Sequence, residues 1–415
     1  MARVWPLTLR GTGALALALV CFVFAGQLGL GELVYFGVLL LAVLGASLAS
    51  LYVMRRADAV TRAVSTDFAA VERTCVVSVR VGVRSALPTP PGRWSDRLPR
   101  TLDGEANGVF PALGSAMRGA ERPVELSYPV TGLRRGVEHI GPLRVTSTDP
   151  FGLARRQHVF GTRTPVTVVP TLVDLPAGAG FAGAAGGILH STTEQLGQGA
   201  DNLIARPYVP GDSMRRIHWR ATAHRDQLMV RQEEQESTPE ATVILDRSAP
   251  RYAPEATRAP GVDPGFETAV SMCVSAAARL AREGYTVEVV DCDGTPLIDP
   301  LDGGDAGEVE AMLTTFASLT ARRDDLVGRL PALFTGATTG PVVLIVGRFD
   351  PADAATIAPV AHHSSLPVLL AVTPVEDALD RAAQAGWRCA TIDPGADLAS
   401  AWATVCDRGA ASVLG

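Results

Sequence analysis

The chain has 415 residues, enough for two or three domains, and 47% of them are hydrophobic, normal for a globular protein with a small membrane segment. A formal net charge of -6 argues against nucleic acid as the main partner, and every one of its 37 Lys-plus-Arg residues is an arginine. The six cysteines form no C-x-x-C pair, which excludes the usual zinc and redox-dithiol patterns and fits buried free thiols in a reducing compartment.

Two apolar runs open the chain. Gly11–Leu30 is interrupted only by Thr12 and Gln27, and Leu33–Met54 carries no charge. A helix rises about 1.5 Å per residue and needs about 20 residues to cross the roughly 30 Å hydrocarbon core, so each run predicts a membrane span. Few residues separate the runs, which makes residues 1–60 a tight hairpin. Arg3 and Arg10 precede it, Arg55, Arg56 and Arg62 follow it, and the turn holds only Glu32. The positive-inside rule then puts both ends in the cytoplasm, as in a multi-pass plasma-membrane protein. A cleaved signal peptide is the alternative for the first run, but no A-x-A-like site follows it.

Residues 61–177 predict a β-sandwich-like domain. Val60–Val71 reads as a short helical stalk. Thr74–Val83 alternates Cys75, Val77, Val79, Val81 and Val83, the period of a half-buried strand. Val124–Val130, Gly136–Thr146 and Val166–Val169 continue the strands. The Pro- and Gly-rich stretch near 88–123 shows little periodicity and predicts a long loop insertion. Asp149-Pro150-Phe151-Gly152 is a turn signal, with Phe151 and Leu153 expected to pack back onto the domain.

Residues 178–240 hold a Gly/Ala linker and then the densest charge of the chain. Arg206–Glu236 packs six arginines, two histidines and a tryptophan into one run. Pro210-Gly211 supplies a turn, and Asp212 stands as N-cap of a short helix in which Met214 and Ile217 share a face. Leu228-Met229-Val230 reads as a strand before Glu233, Glu234 and Glu236. Ordinary linkers do not mix Trp, Met and Ile with so much charge, so this is a folded element. Its arginines pair either with those glutamates or with a partner.

Residues 241–415 change pattern to apolar strands alternating with helices, which predicts a parallel sheet covered on both faces, a Rossmann-like α/β domain. Asp263-Pro264 caps a helix in which Phe266, Val270, Val274, Ala277 and Leu280 share one face. No G-x-S-x-G, H-E-x-x-H or phosphate-loop pattern stands at a strand–helix junction, and no catalytic residue is assigned.

The Arg206–Glu236 run resembles the signature of the bacterial "domain of unknown function 58" family: Arg206 and Tyr208, then Gly211-Asp212, Arg215, Ile217 and Trp219, Arg225, Leu228, Val230, Arg231 and Glu236. Arg134-Arg135-Gly136, Gly141-Pro142 and Asp149–Leu153 look like the family's preceding β-region. The interaction residues expected in this run are Arg206, Tyr208, Gly211, Asp212, Arg215, Arg216, His218, Trp219, Arg225 and Glu236. The C-terminal half resembles the von Willebrand factor A domain that many members carry. In such domains Asp-x-Ser-x-Ser binds Mg²⁺, so Asp246 and Ser248 would be metal ligands. The second serine is Pro250 here, and the aspartate expected after the Val342–Val346 strand is replaced by Gly347-Arg348. The resemblance therefore implies a degenerate metal site. It also implies a membrane-anchored, cytoplasm-facing adaptor or scaffold that works with a MoxR-class AAA+ ATPase, and with a transglutaminase-like membrane protein, in envelope-related assembly. The alternative is a hydrolase using Asp212, His218 and the glutamates after them.

Overall fold

The computed structural model describes residues 5–53, 59–65, 69–83, 90–112, 122–178, 181, 203–208, 214, 217, 219–225, 227–233, 239–302, 305–334 and 339–407. The chain divides into two compact units. The first holds residues 1–171 with 258–262 and 313–320, and the second holds the remainder.

The first unit begins with α1 (Leu9–Leu28) and α2 (Gly31–Val53), both long and apolar enough to cross a membrane. The Thr8 hydroxyl caps α1 by accepting from Gly11 N, and Gly29, at φ 66°, ends it with its N–H on Ala25 O. Eleven strands follow: β1 (Ala59–Val64), β2 (Ala69–Ala70), β3 (Thr74–Val83), β4 (Gly92–Ser95), β5 (Leu102–Asp103), β6 (Asn107–Phe110), β7 (Arg122–Gly132), β8 (Gly136–Ile140), β9 (Leu143–Thr148), β10 (Arg155–Phe160) and β11 (Thr164–Val169). They form three sheets, ordered β1-β3-β7-β5, β10-β9-β4-β6 and β2-β11-β8. Inward residues of all three meet in one core that includes Val77, Val79, Trp94, Phe110, Tyr128, Ile140, Leu143 and Val168.

β3 has the expected period, with Cys75, Val77, Val79 and Val81 buried. The expected helical stalk at Val60–Val71 is instead β1 and β2. Its alternation is hidden in the sequence because one inward position is Arg62. That guanidinium is 2% exposed and meets the fully buried Asp96 carboxylate at 2.9 Å, while Tyr128 Oη donates to the same carboxylate at 3.0 Å. Burial and the Asp96 charge push the Tyr128 phenol far above its ordinary range. The expected loop near 88–123 carries β4, β5 and β6, each too short to show a period, yet together they place Trp94, Leu102 and Phe110 in the core. Phe151 does not pack back: it is 62% exposed.

The second unit opens on Leu172–Gly178, where Leu175 and Gly178 are buried and Trp402 Nε1 donates to Pro176 O at 3.2 Å. Phe181 stacks on Trp402 with ring centroids 5.1 Å apart. Gly178, expected to begin the linker, is thus packed; residues 182–187 of that stretch lie outside the described residues. β12 (Leu203–Pro207) pairs antiparallel with β13 (Met229–Glu233), and α3 (Trp219–Arg225) lies between them in sequence. The body then alternates: β14 (Glu240–Leu245), α4 (Pro264–Arg282), β15 (Thr286–Asp291), α5 (Ala306–Phe316), the short α6 (Leu330–Leu333), β16 (Thr339–Phe349), α7 (Pro351–Ala361), β17 (Ser364–Pro374), α8 (Ala378–Gln384), β18 (Arg388–Thr391) and α9 (Leu398–Asp407).

Its five strands are all parallel, in the order β15-β14-β16-β17-β18. Ile244, Leu344, Val346 and Leu369 face a core shared with α7 and α8. Their alternating neighbours face the other way, where α4 packs across β14 to β17. Asp263 caps α4 as expected, accepting from Gly265 N and Phe266 N. Residues 296–301 return beside β15 through antiparallel bridges at Val290–Pro296 and Val287–Leu301.

Removing one partner of a buried ion pair leaves the other charge uncompensated and costs about 3–5 kcal/mol, whereas exposed pairs contribute under about 1 kcal/mol. Asp96→Ala should therefore destabilise the first unit by several kcal/mol in chemical unfolding of the detergent-solubilised chain. Arg80→Ala, which breaks the pair to Glu125 whose side chains are 66% and 70% exposed, should change it by less than about 1 kcal/mol.

Candidate functional site

In an open parallel sheet the strand order reverses at one point, and the crevice outside the carboxyl ends of those strands is where ligands bind. Here the chain runs from β14 to β15 on one side and returns to β16 on the other, so the reversal lies between β14 and β16. Asp246 stands there, fully buried at the end of β14, its N–H on Ile345 O at 2.9 Å.

One Asp246 oxygen, Oδ1, accepts from Ser248 N at 2.9 Å. The Ser248 hydroxyl in turn accepts from Leu326 N at 3.1 Å, tying the 320s loop to the end of β14. Two short backbone bonds strengthen that seam, Ala249 N to Arg322 O and Arg322 N to Arg247 O, both 2.6 Å. The other oxygen, Oδ2, has no hydrogen-bond donor and lies 3.5 Å from Arg251 Nε. Burial pushes the Asp246 carboxyl up to about 6, an effect that the Ser248 hydrogen bonds and the Arg251 charge only partly offset.

Arg251 is brought to that place by Pro250. Proline fixes φ at the start of a turn, and Ala249–Arg251 is a single 3₁₀ turn with Arg251 N on Ser248 O at 3.0 Å. The guanidinium then uses every donor it has. Nε and Nη2 meet Asp325 Oδ1 at 3.2 and 3.1 Å, Nη2 and Nη1 meet the two Asp353 oxygens at 2.8 and 2.6 Å, and Nη1 also meets Arg348 O at 2.9 Å. Burial opposes its charge, but the Asp353 bond and the surrounding carboxylates hold Arg251 protonated more firmly than an ordinary arginine. Asp353 does double duty, since its Oδ2 also accepts from Asp350 N in the capping box that starts α7. Despite burial, the Arg251 bond and the Asp350 backbone bond leave its carboxyl below the usual range.

Gly347 belongs to the same fit. A Cβ there would collide with Arg251 O and stand 2.7 Å from the Tyr252 ring. The Tyr252 hydroxyl donates to Asp246 O at 2.9 Å, and burial together with the Asp246 charge holds the phenol well above its ordinary range. A second arginine-paired carboxylate ends the neighbouring strand: fully buried Asp291 meets Arg322 at 3.3 Å and Arg247 at 3.7 Å.

These residues do not fit a divalent cation at Asp246. The hydroxyl that would complete the set is Pro250, position 347 near the carboxyl end of β16 is glycine, and the carboxylate faces an internal guanidinium. Among the described residues, no group of three or more His, Cys, Asp or Glu is arranged to hold a metal. Asp246 and Ser248 do come together, as expected. Arg251, Asp325 and Asp353 were not foreseen; the signal available was the run of charged residues immediately after two apolar strands.

The signature segment is built separately. Tyr208 N donates to Leu228 O at 2.7 Å, Arg206 pairs with Val230 across β12 and β13, and Ile217 bridges Val230. Thr222 Oγ1 accepts from Met229 N at 3.0 Å and fastens α3 to the hairpin. Ile217, Met229 and Val230 are buried, whereas Met214 does not share a face with Ile217 and is 68% exposed. Trp219 opens α3 and is 70% exposed. Arg225 ends α3. Gly211, Asp212, Arg215, Arg216, His218 and Glu236 lie outside the described residues.

Residues 204–368 match the family described as "Protein of unknown function DUF58". A protein of Bacillus subtilis (strain 168), "Uncharacterized protein YeaD", is 24% identical over 265 residues, covering 63% of each chain. The match thus spans less than two thirds of that relative's length. Among solved structures, the CARDB domain of the PF1109 protein from Pyrococcus furiosus is similar at 14% identity, over 28% of this chain and 93% of that one, with a TM-score of 0.18, a likeness too slight to bear on the fold. That match takes in the Arg206–Glu236 run and continues to residue 368.

Because the Asp246 carboxyl stands near 6 in the folded chain against an ordinary 3.8, the folded state holds a proton between those values that the unfolded chain releases. Its contribution to stability is lost as pH rises from about 4 to about 6, by up to about 3 kcal/mol. Asp246→Asn should match the parent near pH 4 and exceed it near pH 7, read by denaturant titration at both. Arg251→Ala should instead cost about 3–5 kcal/mol at pH 7, since it strips the countercharge from Asp353 and Asp246 together.

Proposed function

We propose that this chain is a membrane-anchored, cytoplasm-facing adaptor that docks a MoxR-class AAA+ ATPase in envelope-related assembly, with a transglutaminase-like membrane protein as a further partner. The observation that carries this reading is Trp219, a large aromatic held 70% exposed on a helix whose neighbours Ile217, Met229 and Val230 are buried. A folded element that spends no burial on its largest ring has that ring available to a partner, and tryptophan is among the commonest interface anchors.

The parallel order β15-β14-β16-β17-β18 and the antiparallel strip at 296–301 support a Rossmann-like, von Willebrand factor A-like reading of the second unit. So does Asp246-x-Ser248 at the end of its first strand. Arg251 saturates that place with an internal cation, which favours docking without Mg²⁺ over metal-dependent ligand capture. The two apolar helices, flanked by arginines outside the hairpin and by Glu32 within it, support a hairpin with both ends in the cytoplasm. A hydrolase would rest on Asp212 and His218, which lie outside the described residues, and no observation favours it.

A reporter fused to the C-terminus should be active only in its cytoplasmic form; activity of an exported reporter would reverse the topology. Affinity capture of the full chain from native membranes should bring down a AAA+ ATPase. Trp219→Ala should weaken that capture about tenfold or more while changing stability by less than about 1 kcal/mol. Unchanged capture, or substrate turnover by the purified chain that Trp219→Ala abolishes, would reject the adaptor reading.

A further inference from the structure

The turn between β9 and β10 is fastened to the first turn of α1. Thr8 N donates to Leu153 O at 2.9 Å, its hydroxyl donates to Gly152 O at 2.6 Å, and Arg155 N donates to Pro6 O at 2.8 Å. Leu7 and Ala154 form an antiparallel bridge. A Cβ at Gly11 would collide with the Leu153 carbonyl, so the contact depends on glycine there. The far end of the hairpin is held by the same strand, since Arg156 donates to Leu51 O at 3.2 Å and lies over the Tyr52 ring at 4.1 Å. Asp149 locks the turn internally, accepting from Phe151 N and Ala154 N.

These contacts set a depth. A 20-residue helix is about 30 Å long, equal to the hydrocarbon core, so residues 8–11 stand where acyl chains give way to headgroups. The turn lies beside those residues: the place a Cβ would take at Gly152 is 3.8 Å from the Arg10 guanidinium. Phe151, at the tip, is 62% exposed. Trp5 and Tyr52, at the two ends of the hairpin, are exposed as well. Tryptophan and tyrosine gather at membrane interfaces, and long arginine side chains there extend to the headgroups.

We propose that the Asp149–Leu153 turn is a membrane-interface anchor, with Phe151 inserted into the lipid beside α1. Its occupant is the bilayer that the hairpin crosses, so the inference rests on that reading of α1 and α2. It adds a function for the β-unit, which the hairpin alone does not require. The turn would hold the β-unit flush against the lipid surface rather than on a free tether.

The test places a nitrobenzofurazan probe on Phe151→Cys in the full chain, reconstituted into vesicles with nitroxide-labelled lipids. The six native cysteines are buried, and the unsubstituted chain gives the labelling background. Leu19→Cys, midway along α1, reports insertion of the hairpin. Expected are a blue-shifted emission at position 151 and stronger quenching by a shallow nitroxide than by a deep one, with the reverse order at position 19. A water-like, unquenched signal at 151 beside a lipid signal at 19 overturns the anchor while leaving the hairpin in place. A water-like signal at both positions overturns the hairpin and the anchor with it.

Discussion

A carboxylate with no access to water must find a countercharge or take up a proton, and the second unit is arranged around that constraint at Asp246. The sheet requires β14 to be buried along its length, and the chain places an aspartate at the next residue. Pro250 turns the backbone so that Arg251 arrives beside it. Arg251 lies beside that carboxylate, and Asp325 and Asp353 pair with the same guanidinium. Gly347 leaves room for Tyr252 to cover the arrangement. Pro250, Gly347 and the Arg348 carbonyl are thus each a part of the arginine clasp. The clasp joins the end of β14, the 320s loop and the start of α7.

The first unit meets a similar demand differently. Arg62 and Asp96 are buried inside a β core as a close pair, in which Arg62 also donates to Thr162 O and Thr164 Oγ1 and Asp96 also accepts from Tyr128 Oη. Such a pair adds little net stability over an apolar one, but it makes β1 and the chain after β4 intolerant of any other register. The exposed Arg80–Glu125 pair on the same sheet imposes no such demand, because water solvates both charges. Sequence alone does not separate these two pairs; the face of the sheet on which each side chain stands does.

The signature segment shows the opposite economy. Ile217, Met229 and Val230 are buried, and Trp219 is left outside. Residue type predicted burial for Trp219, since large rings usually reward it. The structure leaves it 70% exposed as the first residue of the short α3, which Thr222 fastens to the hairpin.

Local pattern carries strands and helices that repeat a period over many residues, and those were legible. β3, β7, the α4 helix with its Asp263 cap and the buried strands β14, β16 and β17 all follow from alternation or continuous apolar runs, because every residue there obeys one neighbourly rule. The two apolar helices were legible for the same reason. β1, β4, β5 and β6 were not, since a two- to six-residue strand with a buried arginine or a single inward ring has no period to detect. The Asp246 site lies between these cases. Its aspartate and serine were visible at the end of a strand, but their partner was decided by contacts between residues 246, 251, 325 and 353, far apart in the chain. Side-chain charge is written in the sequence; whether that charge meets water, a metal or a guanidinium is set by which segments the folded chain brings within about 3 Å of it.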